Sequence, residues 1–201
     1  MPLNSSTSLP LLSFRKARVD ETDFIVNLVN SAYRGESSKA GWTTEADLLD
    51  GQRTDSGEIK NLIEDENSII LLCLQDDEII GSVNLQRTGE EAYLGMFVVR
   101  PTLQGAGVGK RFIQASEDFV RQEWNSKKMT MSVITLREEL IAYYERRGYR
   151  RTGEILPFPK NIGNGIPRVE NLKFEMLEKK LMRREASITN APINESERTI
   201  F

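Results

Sequence analysis

The most constraining stretch of this 201-residue chain is Leu94-Gly-Met-Phe-Val-Val-Arg-Pro-Thr-Leu-Gln-Gly-Ala-Gly-Val-Gly-Lys-Arg-Phe112. An apolar strand runs into a turn with glycine at alternate positions, Gly105, Gly107 and Gly109, and a helical period starts directly after it. Glycines spaced in this way leave successive backbone N–H groups unobstructed at the positive end of a helix dipole, which makes a nest for an anion. A phosphate group belongs there. Two kinds of phosphate ligand fail on spacing. A nucleotide P-loop needs glycine where Gln104 stands and a hydroxyl residue where Arg111 stands. A dinucleotide fingerprint needs glycine at the position of Lys110.

The flanking residues extend this unit into a domain. Ser68 to Leu74 and Glu78 to Leu85 are β-rich runs around Gln75-Asp76-Asp77, a hairpin signal, and Ala92 to Arg100 is a third strand after Thr88-Gly-Glu. Upstream, Phe14 to Val19 reads as a strand. Asp20 reads as the N-cap of a helix with Phe24, Leu28, Val29 and Ala32 on one face, ending near Tyr33 to Gly35. Short helices are expected around Glu45 to Leu49 and over Gly57 to Glu64. After the glycine turn, Val108, Phe112, Ala115 and Phe119 recur at helical spacing. Lys128 to Thr135 is a strand, Glu138 to Arg147 a helix closed by Gly148, Tyr149 to Ile155 a strand, and Arg168 to Leu181 one long final strand. The order β α α β β β α β α β β describes a single α/β (α+β) domain over residues 13–181, a mixed sheet flanked by helices. Residues 1–12 read as a loose leader rich in Ser and Pro, and 182–201 as a polar tail.

Gln104-Gly-Ala-Gly-Val-Gly109, with Val99-x-Pro101 just before it, resembles motif A of the GNAT superfamily, the acyl-CoA-dependent N-acetyltransferases. Ala142-Tyr-Tyr-Glu-Arg-Arg-Gly-Tyr149 resembles the closing helix of the same family, and one helix and one strand separate the two motifs, as in that family. The match spans roughly residues 14 to 180. It implies a sheet splayed beside the strand that ends in the glycine turn. The main chain of Phe97, Val98 and Val99 would then pair with the pantetheine arm of coenzyme A like an added strand. The resemblance implies that the pyrophosphate sits on Gln104, Gly105, Ala106, Gly107, Val108, Gly109 and Lys110. Gly95, inside an otherwise apolar strand, marks a bulge or a close backbone approach on its own account.

The same resemblance implies acetyl-CoA as donor, no metal, and Tyr144 as the general acid for the departing sulfur, because Tyr144 directly precedes Glu145-Arg-Arg-Gly148. Tyr143 is the alternative. Neighbours on a helix point about 100° apart, so one of the two is expected to face the cofactor and the other to pack inward. The acceptor wall is implied at Tyr33, Glu36, Trp42 and Glu45 and in the loop from Pro157-Phe-Pro159 to Pro167. The chain departs from the family where a carboxylate base often stands, since that position holds Tyr93. Glu91 lies two residues earlier, and Glu36 or Glu45 acting through water is a further option. The Asn often found at the start of the last helix is absent, with Arg137 or Glu138 in that region.

Composition closes other branches. There is no histidine, and one cysteine, Cys73, lies in the apolar run Ser68 to Leu74, so Ser-His-Asp and Cys-His catalysis are excluded and the common zinc sites are not expected. The 27 basic residues are interleaved with 30 acidic ones, so no general attraction to nucleic acid or to an anionic membrane is implied. The amino-terminal residues do not read as a signal peptide, and no run of ~18 apolar residues occurs. A soluble, cytoplasmic protein is expected. The leading expectation is acetyl transfer to a primary amine, most simply of a small molecule. Acetylation of protein N-termini or lysines, and a non-catalytic acyl-CoA-binding module, are the alternatives, and a homodimer is left open.

Overall fold

Strands with apolar residues on both faces need helices on both faces, and this chain supplies them. The computed structural model describes residues 11–34, 36–159 and 165–182. Most of the leader (1–10), nearly all of the tail (183–201), Gly35, and 160–164 of the loop after Pro159 lie outside the described residues. In chain order the elements are β1 (Leu12–Lys16), α1 (Thr22–Tyr33), β2 (Leu49–Asp50), α2 (Ser56–Glu64), β3 (Ser68–Gln75), β4 (Glu78–Thr88) and β5 (Glu91–Val99). They continue with α3 (Val108–Glu123), β6 (Lys128–Ile134), α4 (Glu138–Glu145), β7 (Arg150–Pro157), β8 (Ile166–Pro167) and β9 (Lys173–Lys180).

Seven strands form one mixed sheet in the order β1-β3-β4-β5-β6-β9-β7, parallel only between β5 and β6, while β2 and β8 make a two-stranded ribbon. In β3, Leu71 and Cys73 join Phe112 of α3 and Ile141 of α4 in one core. Ile70, Leu72 and Leu74 face the other way and pack with Ile25, Leu28 and Val29 of α1 and Ile59 of α2. Among the described residues no helix is long and apolar enough to cross a membrane.

Two features of β5 position the site. Its pairing with β6 runs only from Glu91–Tyr93 to Lys128–Thr130, so Leu94 to Val99 have β4 on one flank and no strand on the other among the described residues. The sheet is splayed there. A bulge also interrupts the register with β4: Asn84 pairs with Gly95 and Ser82 with Val98, so Val83 faces both Met96 and Phe97, and Met96 takes φ 46°. The extra residue reverses the faces of the strand. Ala92 and Leu94 enter the core under α3 and α4, whereas Met96 and Val98 enter the core under α1 and α2. Gly95 therefore marks the bulge one residue early.

Several local expectations are corrected. Asp20 does not cap α1. Val19–Glu21 form a 3-10 turn and Glu21 is the N-cap residue, its carboxylate accepting from the Arg18 amide at 2.9 Å and from Arg15 at 2.6 and 2.8 Å. The buried face is rotated accordingly, with Ile25 in the core and Phe24 45% exposed. In α3 the buried stripe runs through Ile113 and Ser116, leaving Ala115 and Phe119 half-buried. No helix forms over Glu45 to Leu49. A turn leads into β2, and pairing of Leu49 and Asp50 with Pro167 and Ile166 takes up that backbone. The final strand starts at Lys173 and not at Arg168, because the chain leaves the ribbon at Pro167 through bends and a turn over residues 168–172.

Candidate active site

After β5 the chain turns through Pro101–Leu103, and Gly105 and Gly107 take φ of 88° and 80°, values that other residues reach only with strain. Gly107 is the N-cap of α3, so the amides of the first helical turn have no intrahelical partner. Gly109 is required for space, since a Cβ there would lie 2.6 Å from Tyr143 Oη. This turn, the unpaired end of β5 and α4 border a cavity of about 360 Å³. Of the residues assigned to the cofactor, Phe97, Val98, Val99, Gln104, Gly105, Gly107, Gly109 and Lys110 line it. Ala106 and Val108 do not: Ala106 is exposed outside the lining, and the Val108 side chain is sunk in the core beside Phe112. Among the described residues that line it, Lys110, Arg137, Arg146 and Arg147 are charged and none is a carboxylate. An elongated ligand bearing phosphates suits such a crevice.

Gln104 acts as a clasp. Its Nε2 donates to the Val99 carbonyl at 3.2 Å, and its Oε1 accepts from the Trp42 amide at 3.1 Å. Close approach here needs Gly41, where a Cβ would lie 2.6 Å from that Oε1. The clasp holds the Trp42 indole 5.2 Å from the Tyr143 ring, over the same cavity. Trp42 thus lines this larger cavity and not the smaller one beside it.

A second cavity, of about 230 Å³, opens where β5 and β6 part. Met131, Val133, Phe158 and Phe174 make its apolar wall, and Glu45 is the one carboxylate among the described residues that line it. Arg137 Nη1 donates to Glu45 Oε1 at 2.8 Å and Arg34 Nη2 donates to Oε2 at 3.3 Å, so both oxygens are engaged. Arg137 also donates to Thr43 Oγ1 at 2.8 Å. Glu45 therefore ties α1 to the start of α4 and is not an open carboxylate. Tyr93, at the position where a base was sought, shares a 2.7 Å hydrogen bond with Ser132 Oγ in this cavity. Glu91 pairs with Lys128 at the far end of β5. Glu36 is a correction: its side chain is 89% exposed, pairs with Lys39 and lines neither cavity.

The two cavities share Tyr33, Phe97, Arg137, Leu140 and Tyr144 in their walls. The expectation that only one of the paired tyrosines faces the crevice is corrected, because Tyr143 and Tyr144 both line the first cavity. Of that adjacent pair, Tyr143 lines the first cavity alone and Tyr144 lines both. Burial pushes its hydroxyl well above the ordinary tyrosine range, Tyr33 and Tyr143 push the same way, and Arg137 and Arg147 pull back. Burial likewise pushes Tyr33 up to about 12, against the positive charge of Arg53. Both phenols stay protonated at neutral pH. Arg34 falls within the Tyr33 to Glu36 stretch expected to build the acceptor wall, although it was not singled out there, whereas Arg53 was missed entirely, since nothing in its local pattern distinguishes it from a surface arginine.

The model of the acetyltransferase (GNAT) family matches residues 24–149. No curated protein sequence matches the chain. Solved structures similar in fold include the ribosomal-protein-S18-alanine N-acetyltransferase from Escherichia coli, with TM-score 0.63 and 12% identity over 89% of this chain and 99% of that one. The spermidine N-acetyltransferase from Vibrio cholerae in complex with CoA and spermine gives 0.63 and 17%, covering 85% and 95%. The IAA acetyltransferase from Bacillus cereus gives 0.58 and 15%, covering 85% and 100%.

Proposed function

The chain belongs to the acetyltransferase (GNAT) family, and from that premise we propose that it moves the acetyl group of acetyl-CoA to a primary amine of a small molecule, with donor and acceptor bound together. The observation that carries this reading is the wall shared by the two cavities, in which Tyr144 stands. In this reading the donor occupies the larger cavity. Backbone amides of the turn around Gly107 hold its pyrophosphate, Lys110 adds charge, and the free flank of Phe97, Val98 and Val99 pairs with the pantetheine arm. Acetyl-CoA supplies the thioester carbonyl and a thiol leaving group. The amine enters from the smaller cavity, whose volume suits a small molecule better than a peptide chain.

Attack of the amine nitrogen on the thioester carbon forms the N–C bond and breaks the C–S bond. Tyr144 gives its hydroxyl proton to the sulfur as negative charge develops there, and the proton lost by the amine passes to solvent. Burial makes that proton costly to release, and Arg137 and Arg147 favour the transient phenolate. Tyr144 regains a proton from solvent once the sulfur has taken its own.

A ligand that binds only the native state raises its melting temperature, so CoA should shift the melt and NAD or ATP should do so far less. Gly107→Asp should remove the shift, because the new carboxylate enters the anion nest. Thiol release from acetyl-CoA should accompany amine addition. Absence of a shift at millimolar CoA, or an intact shift in a folded Gly107→Asp protein, would refute the site.

A further inference from the structure

Resting on the acetyl-transfer reading, we infer that the acceptor amine also carries a carboxylate, which Arg53 and Arg137 hold in the smaller cavity. The argument starts from charge. Arg34, Arg53 and Arg137 border this cavity against the single carboxylate of Glu45, which Arg34 and Arg137 already share. Arg53 has no ion pair among the described residues. Its guanidinium lies 5.5 Å from the Tyr33 ring centroid, and its Nη1 is buried with no hydrogen-bond partner. Arg137, with a side chain 9% exposed, also keeps a buried Nε that makes no hydrogen bond and lies 3.9 Å from Glu139 Oε1.

Buried guanidinium N–H groups left without acceptors carry an unrelieved desolvation cost, and an anionic group on a ligand relieves it at both residues. The flat fork of a guanidinium matches a carboxylate in two-point contact. Arg137 borders both cavities, so the carboxylate is read close to the junction where the amine must react. The same charges work against diamines and polyamines, because a second ammonium group would enter a cavity of excess positive charge whose one carboxylate is taken. The apolar wall at Met131, Phe158 and Phe174 receives a hydrocarbon body. The substrate class is an amino acid or a close analogue with an apolar portion.

The test measures thiol release by the full chain at saturating acetyl-CoA with the common amino acids, each compared with its decarboxylated amine and its carboxamide, and with spermidine as the polyamine. Phenylalanine, phenylalaninamide and phenethylamine form the reference set. The expected kcat/KM for the carboxylate member exceeds that of either partner by about 10- to 100-fold, with spermidine poorest. Arg53→Ala should bring the ratio toward one and Arg53→Lys should retain part of it, while a preserved CoA melting shift certifies that both variants fold. Three results overturn the inference: equal or better turnover of the decarboxylated amines or spermidine, no turnover of any amino acid while CoA still shifts the melt, or an unchanged ratio in Arg53→Ala. Loss of both the CoA shift and all thiol release would instead defeat the acetyl-transfer reading, and this inference with it.

Discussion

The two cavities that meet at Tyr144 are built by different means. The larger is made by backbone: a left-handed turn at Gly105 and Gly107, the start of α3, and a strand edge left bare where β5 and β6 part. The smaller is made by side chains from distant parts of the chain, held by the Glu45–Arg137 pair across 92 positions and by Arg34. A backbone-built site is written locally, in the spacing of glycines. A side-chain-built site is written in tertiary contacts, and it varies with every substitution in its lining while the fold stays the same. This division suits an enzyme with a constant donor and a particular acceptor.

Cutting the network that shapes the smaller cavity should produce the largest effect on stability. Glu45→Ala leaves two buried guanidinium groups without their shared anion, a loss of about 3–5 kcal/mol. In a chain of this size that corresponds to a melting temperature lower by roughly 6–20 °C. Glu36→Ala, which removes only an exposed pair with Lys39, should leave the melt where it is. Equal effects of the two substitutions would mean that Glu45 is not the strut between α1 and α4.

How legible each part was follows from the same division. The hairpin β3–β4, the glycine turn and the closing tyrosines announce themselves through period and spacing within a few residues. The bulge at Met96 reverses a face and was signalled only by the neighbouring Gly95. Glu45 to Leu49 has helix-compatible residues, yet pairing with Ile166–Pro167 overrides that preference. Trp42 stood out as a large aromatic between Gly and Thr, but its side of the crevice depends on the Gln104 clasp, a hydrogen bond across 62 positions. Arg53 gave no signal at all, since its meaning lies in what surrounds it.

A smaller effect sharpens the boundary between the two regions. Trp42→Ala removes the contact with Tyr143 above the larger cavity, so it should raise the KM for acetyl-CoA about 3- to 10-fold, in line with the loss of one aromatic pair. The KM for the amine should change less. The reverse pattern would put Trp42 on the acceptor side.

The central claim is that Tyr144 gives the proton where the two cavities meet, and Tyr144→Phe tests it most directly by keeping the ring and removing the hydroxyl. Measured by thiol release under conditions where chemistry limits the rate, kcat should fall roughly 10- to 1000-fold while the CoA melting shift is retained. Tyr143→Phe, treated in the same way, should lose much less. An unchanged kcat in Tyr144→Phe, or an equal loss in Tyr143→Phe, would contradict the account.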